Sequence, residues 1–204
     1  EIRPRDWSSD VCSSDLLPKK ERRSYYRRLL QQFSSPHFQE WNEKLAPRLL
    51  EVASKVSKDS YVAVYQAKAK EADLSPLFAL PLRFCFPKVL SDEGVMEFRW
   101  VKNPRAEAEF ESGAFGIMEP RKQHPVVPRD EIKVCFAPLL AFDGSGRRLG
   151  NGKGYYDRFL DGYRGLRIGV GFEWQFSVTP LPHEPHDQHL DIIVTELETR
   201  DFRR

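Results

Sequence analysis

The chain is expected to fold as one layered α/β domain. Three observations lead there. Short β-rich apolar runs alternate with helical stretches along the chain, which is the pattern of helices packed on a sheet. No internal repeat and no linker divides it. Its 204 residues, 40% hydrophobic and 12% aromatic, suit a single core of ordinary size and are too apolar for a disordered chain.

The beginning stands apart. Ser8-Ser9-Asp10 recurs as Ser13-Ser14-Asp15 around Val11-Cys12, with neither helical nor strand period. The segment lacks the apolar core of a signal peptide. Residues 1–16 are therefore expected to be a disordered or non-native leader, with the domain running over 17–204. From Pro18 to about Phe33 the residues are helix formers, and Pro18 suits a helix start. A second helix is expected over about Phe38–Val56, where Trp41, Leu45, Leu49 and Val52 make one apolar stripe. Pro47 is expected to kink or split it.

Tyr61–Tyr65 reads as the first strand, Lys68–Asp73 as a charged loop, Pro76–Leu80 as a short helix and Arg83–Phe86 as the second strand. Glu97–Val101 alternates as a strand does, and Lys102–Gly113 is polar and loop-like. Lys133–Ala137 is a strongly apolar strand, a helix is expected from Tyr155 to about Asp161, and Arg167–Phe172 and Asp191–Thr195 close the chain as strands. Phe172, Trp174 and Phe176 alternate at strand spacing, which assigns them to the core or to a pocket wall.

With 32 basic against 30 acidic residues the formal net charge is +2. Nothing global therefore points to nucleic acid or a membrane, and no apolar run approaches the roughly 20 residues of a membrane helix. Three scattered cysteines, Cys12, Cys85 and Cys135, argue for a reducing compartment rather than a disulfide framework. Cys85 and Cys135 lie in apolar runs and read as small core residues. His183, His186 and His189 are interrupted by Pro, Glu, Asp and Gln in an expected loop, and read as loop residues rather than a zinc site.

The chemistry is expected between Asp143 and Asp157. An apolar strand, a glycine-dense turn and a helix start make a ready phosphate site, because glycines let the backbone approach an anion. Lys153 adds positive charge, and Asp157 on the first helical turn is placed to hold magnesium. Neither the P-loop spacing nor the dinucleotide fingerprint fits. The plain alternative is a flexible hairpin or cap loop.

Arg148-Leu149-Gly150-Asn151-Gly152-Lys153-Gly154-Tyr155-Tyr156-Asp157 resembles the signature of the 5-formyltetrahydrofolate cyclo-ligase family. Lys19 and Arg23, Glu71 and Asp73, Phe115 to Pro120, Leu181 to Asp187 and Leu190 to Glu196 resemble its other segments in order. The resemblance implies a three-layer fold with a mixed, mostly parallel sheet, akin to phosphosugar isomerases and CoA transferases. It implies ATP as co-substrate, gripped by Lys19, Arg23 and the loop Arg148, Leu149, Gly150, Asn151, Gly152, Lys153, Gly154, Tyr155 and Tyr156. Magnesium would be held by Asp157 and Asp191. Glu71 would contact the folate, with Asn151, Gly152, Lys153, Gly154 and Tyr155 bordering both ligands, and Lys153, Tyr155 and Asp157 would be catalytic. The partner would be 5-formyltetrahydrofolate, with the glutamate-chain length left open, acted on in the cytoplasm by a monomer or weak homodimer. One of Tyr155 and Tyr156 is expected to pack the helix and the other to face ligand.

Duller roles exist: a solvated helix face for Lys19 and Arg23, a plain loop charge for Glu71, a strand-end cap or Arg partner for Asp191. Two rival readings are another enzyme of the same fold, independent of ATP, and an RNA-binding module built on the Lys19–Arg28 cluster, which leaves the glycine turn unexplained.

Overall fold

A computed structural model describes residues 18–91, 94–113 and 116–203. The leader (1–16), Cys12 and Phe115 lie outside the described residues. The strands are β1 (Tyr61–Ala63), β2 (Arg83–Val89), β3 (Met96–Trp100), β4 (Phe110–Ser112), β5 (Met118–Pro120), β6 (Val126–Val127) and β7 (Ile132–Pro138). They continue as β8 (Ala141–Asp143), β9 (Arg148–Leu149), β10 (Leu166–Val170), β11 (Phe176–Ser177), β12 (Ile192–Val194) and β13 (Thr199–Asp201). The α-helices are α1 (Lys19–Gln31), α2 (Ser35–Ser54) and α3 (Tyr155–Leu160).

The main sheet has the order β13-β12-β10-β7-β1-β2-β3-β6. Its five central strands, β12 to β2, run parallel, and antiparallel strands close both edges. Strand alternation makes the layers. Val62, Val64, Phe84, Phe86, Val134 and Phe136 face one side and pack with Tyr26, Leu29, Leu45 and Leu49 of α1 and α2. The residues between them, Ala63, Cys85 and Cys135, face the other side, against Leu160 and Tyr163 at the end of α3. Burying each large apolar side chain contributes about 1.5–3 kcal/mol. The result is a single mixed α/β domain with a largely parallel sheet, as expected.

Helix α1 buries Arg22, Tyr26 and Leu29 along one stripe. Helix α2 is capped by Ser34, whose hydroxyl meets His37 Nδ1 at 2.9 Å. Contrary to expectation, Pro47 does not split it: the helix runs from Ser35 to Ser54. Both Pro47 and Glu43, whose carbonyl loses its N–H partner, lie on the solvent side, so water can take the unmade bond. Phe172, Trp174 and Phe176 do not share a strand. A 3-10 turn over Glu173–Gln175 separates them, with Phe172 in the core and Trp174 packed against it.

Candidate active site

The glycine-rich segment begins as a hairpin. β8 pairs antiparallel with β9 through Ala141–Leu149 and Phe142–Arg148. Asp143, fully buried, ties the turn: its Oδ1 accepts from the N–H (2.9 Å) and hydroxyl (2.7 Å) of Ser145 and from the N–H of Arg147 (3.1 Å). Its Oδ2 accepts from the N–H of Leu181 at 2.8 Å. The plain hairpin alternative is thus half right: the hairpin is there, and it delivers residues 150–154 to the flank of α1.

There Arg23 donates to the Gly150 carbonyl (3.0 Å) and Arg27 to that of Asn151 (3.0 Å). Gly152 and Gly154 have φ of +101° and +73°, values that side chains strongly disfavour. Asn151, Gly152 and Lys153 are exposed, and the Lys153 carbonyl accepts from the Arg158 guanidinium. Leu149 is buried and its carbonyl is taken by Leu140 N–H at 2.8 Å, so it offers a ligand little beyond its place in the hairpin. Helix α3 is only six residues long. The positive charge near the loop therefore comes from Arg23, Arg27 and Lys153 more than from a helix dipole.

Arg148 and Asp157 form an ion pair at 2.7 Å, with the arginine side chain 3% exposed and the aspartate 20%. The Arg148 guanidinium also lies over the Tyr156 ring, 5.6 Å from its centroid. Asp157 Oδ1 takes the Arg148 bond and a long contact of 3.5 Å from Gln188 N–H, which leaves Oδ2 for a cation. Asp191 lies three residues beyond Gln188 on the same connection, and its Oδ2 accepts from Arg167 N–H at 2.8 Å. Each carboxylate thus keeps an oxygen for a hard cation such as magnesium, which takes one or two protein carboxylates and retains waters.

The two tyrosines go different ways. Tyr156 packs the helix on the sheet, near Phe98 and beneath Arg148, and its buried hydroxyl has no hydrogen-bond partner. Burial, then Cys135 and Tyr65, raise its pKa well above 10. Tyr155 reaches across to the Ser91 carbonyl at 3.3 Å. Glu71, partly buried, accepts from Lys68 N–H at 3.0 Å, and burial raises its pKa. Its charge helps raise the pKa of Tyr65, after burial.

Lys19 lies not on a solvated face but against two carboxylates, Asp187 at 2.6 Å and Glu184 at 2.8 Å. Glu184, His186 and Asp187 bring ligand-type atoms within 4.8 Å of one another, and the Lys19 ammonium sits among them. Sequence reasoning missed Arg22, whose guanidinium is buried and donates to Ser177 Oγ (3.2 Å) and Thr179 Oγ1 (3.1 Å). A signal was present: Arg22 shares the stripe of Tyr26 and Leu29. Lys19, Arg22, Arg23 and Arg27, four of the six basic residues that suggested an RNA-binding cluster, are all engaged by the protein itself.

Known proteins resemble the chain in sequence and in fold. The model of the 5-formyltetrahydrofolate cyclo-ligase family matches residues 17–196. The chain is 29% identical over 140 residues to the 5-formyltetrahydrofolate cyclo-ligase of Haemophilus influenzae, spanning 56% of this chain and 74% of that protein. It is 27% identical over 202 residues to a probable enzyme of that name from Caenorhabditis elegans, covering 90% and 95%. Its fold is similar to the solved structure of Aquifex aeolicus 5,10-methenyltetrahydrofolate synthetase, with a TM-score of 0.77 and 31% identity over 92% of this chain and 94% of that one. With the family model spanning residues 17–196 and a solved relative of the same fold, this chain belongs to the 5-formyltetrahydrofolate cyclo-ligase family.

Proposed function

We propose that the chain uses ATP to close 5-formyltetrahydrofolate into 5,10-methenyltetrahydrofolate, releasing ADP and phosphate. The observation that carries this reading is the loop from Gly150 to Gly154. Two of its glycines are left-handed, it is fastened to α1 by Arg23 and Arg27, and Asp157 follows on the next turn. Backbone that can approach an anion closely, bordered by cations, is what a triphosphate requires. Family membership supports the folate as the second substrate.

A formyl amide is a poor electrophile, because its nitrogen donates into the carbonyl. In the proposed sequence the formyl oxygen takes the terminal phosphoryl group of ATP, and ADP departs. The neighbouring amine then attacks the formyl carbon, the carbon–oxygen bond breaks, phosphate leaves with the oxygen, and the amine gives up its proton. Such transfer asks mainly for positioning and cations. Lys19, Arg23, Arg148 and Lys153 would hold the phosphates, with the backbone of Leu149 to Tyr156 around them. Glu71 would bind the folate, with Asn151 to Tyr155 between the two substrates. A magnesium ion, held by Asp157 and Asp191, would neutralise phosphate charge when bound. Lys153 and Tyr155 would steady the transferring group. Among the described residues no helix is long and apolar enough to cross a membrane, and we place the enzyme in the cytoplasm.

The direct test mixes the purified chain with MgATP and 5-formyltetrahydrofolate and follows methenyl-folate absorbance. A folded chain that gives no signal would sink the proposal. Asp157→Asn should lose turnover while its circular dichroism is unchanged, since the amide can still accept the Arg148 bond. Full activity in that variant would place the metal elsewhere.

A further inference from the structure

We infer that Asp187 is a positioning residue for Lys19, aiming its ammonium at the nucleotide phosphates. The inference rests on the ATP reading above and goes beyond it, since nothing in the signature loop assigns Asp187 a task. Both Asp187 oxygens lie 2.6–2.7 Å from Lys19 Nζ. The lysine side chain is 13% exposed and the aspartate 15%, whereas Glu184, the other partner at 2.8 Å, is 53% exposed. His183 and His186 approach the Asp187 carboxylate more distantly, at 3.7 and 4.0 Å.

These differences divide the labour. A lysine is a point charge on a flexible four-carbon stem, and a largely covered ammonium without a counter-charge would swing to water. Asp187 prevents that. It is itself fixed, because its Oδ2 accepts from the Glu184 N–H at 2.7 Å. Glu184 sits mostly in water, where ion pairs are weak, so its place on the ammonium is the one a phosphate oxygen takes over. An ammonium has three donors, enough to keep Asp187 and accept the newcomer.

The connection that carries Asp187 is fastened to the glycine hairpin at both ends. Leu181 N–H donates to Asp143 at 2.8 Å, and Leu190 N–H donates to the Gly146 carbonyl at 2.9 Å. Between them Gln188 N–H contacts Asp157 at 3.5 Å. Asp187 therefore sets Lys19 relative to the hairpin and to Asp157, and not merely relative to its own loop.

The test is a calorimetric titration of MgATP, without folate, into the full chain, Asp187→Asn, Lys19→Met and the double variant. Asp187→Asn should weaken binding about tenfold, the loss typical when a partner that orients a ligating group is removed. In the Lys19→Met background the same change should add less than about twofold, because the two residues act as one unit. In turnover assays Asp187→Asn should raise KM for ATP and leave KM for the folate unchanged, and Asp187→Glu should recover part of the loss. Unchanged or tighter binding by Asp187→Asn would overturn the inference. So would an undiminished tenfold effect without Lys19, since that would mean a general loosening of the loop. Failure of the wild-type chain to bind MgATP would instead remove the ATP reading, and this inference with it.

Discussion

Glu71 lies between a loop and the sheet, with burial opposing its ionisation. Its folded-state pKa is above the 4.5 of a free glutamate. Just above that pH the folded chain still binds a proton that the unfolded chain has released, so this group's contribution to stability falls as pH rises through the window. Glu71→Gln keeps an acceptor for the Lys68 N–H and does not titrate. In urea unfolding at a series of pH values, the stability difference should move in favour of the variant from pH 4.5 upward. A constant difference would show that Glu71 is fully hydrated. At the same scale, Arg22 illustrates what a sequence hides. Its position in the α1 stripe is readable, but its partners Ser177 and Thr179 are more than 150 residues away, and only the fold brings them to it.

Elements were legible where a local period announces them. Helix α2 and strand β3 carry such periods, while α1, β1, β2, β7, β10, β12 and the start of α3 show in composition and apolar runs, and the structure places them close to where the sequence did. The two-residue strands β6, β9 and β11 and the hairpin β4–β5 are too short for any period to register, and β13 is defined only by its pairing with β12. The glycine segment shows both sides: its composition pointed to the site, while the hairpin inside it depends on Asp143 reaching Leu181. Pro47 in α2 supplies the test at this scale. A proline in a helix interior costs about 3 kcal/mol relative to alanine, partly offset by its stiffening of the unfolded chain. Pro47→Ala should therefore stabilise the protein by about 1–3 kcal/mol, raising Tm by about 2–4 °C for each kcal/mol at this chain length. No change in Tm would mean that the proline is compensated locally.

In the whole molecule, the central strands show Ala63 and two cysteines on the sheet's face towards α3. Cys85 and Cys135 are both fully buried and free. Desolvation raises the Cys85 thiol well above its usual range and pushes Cys135 up to about 12. Thiolate is the reactive form, so neither should react with a thiol reagent while the sheet is intact. Mass spectrometry of alkylated peptides should find both unmodified in buffer and both modified together in denaturant. Labelling of either one alone under native conditions would reveal partial opening of the central strands.

The last residues described are not a loose end. Strand β13 pairs with β12, Phe202 N–H donates to the Asp191 carbonyl at 2.8 Å, and the Phe202 ring packs with Leu139, Phe142 and Leu190 beside Gly146. The position of Asp191, a magnesium-ligand candidate, and the tip of the hairpin are thus tied to β13, so a substitution at Phe202 is felt at both.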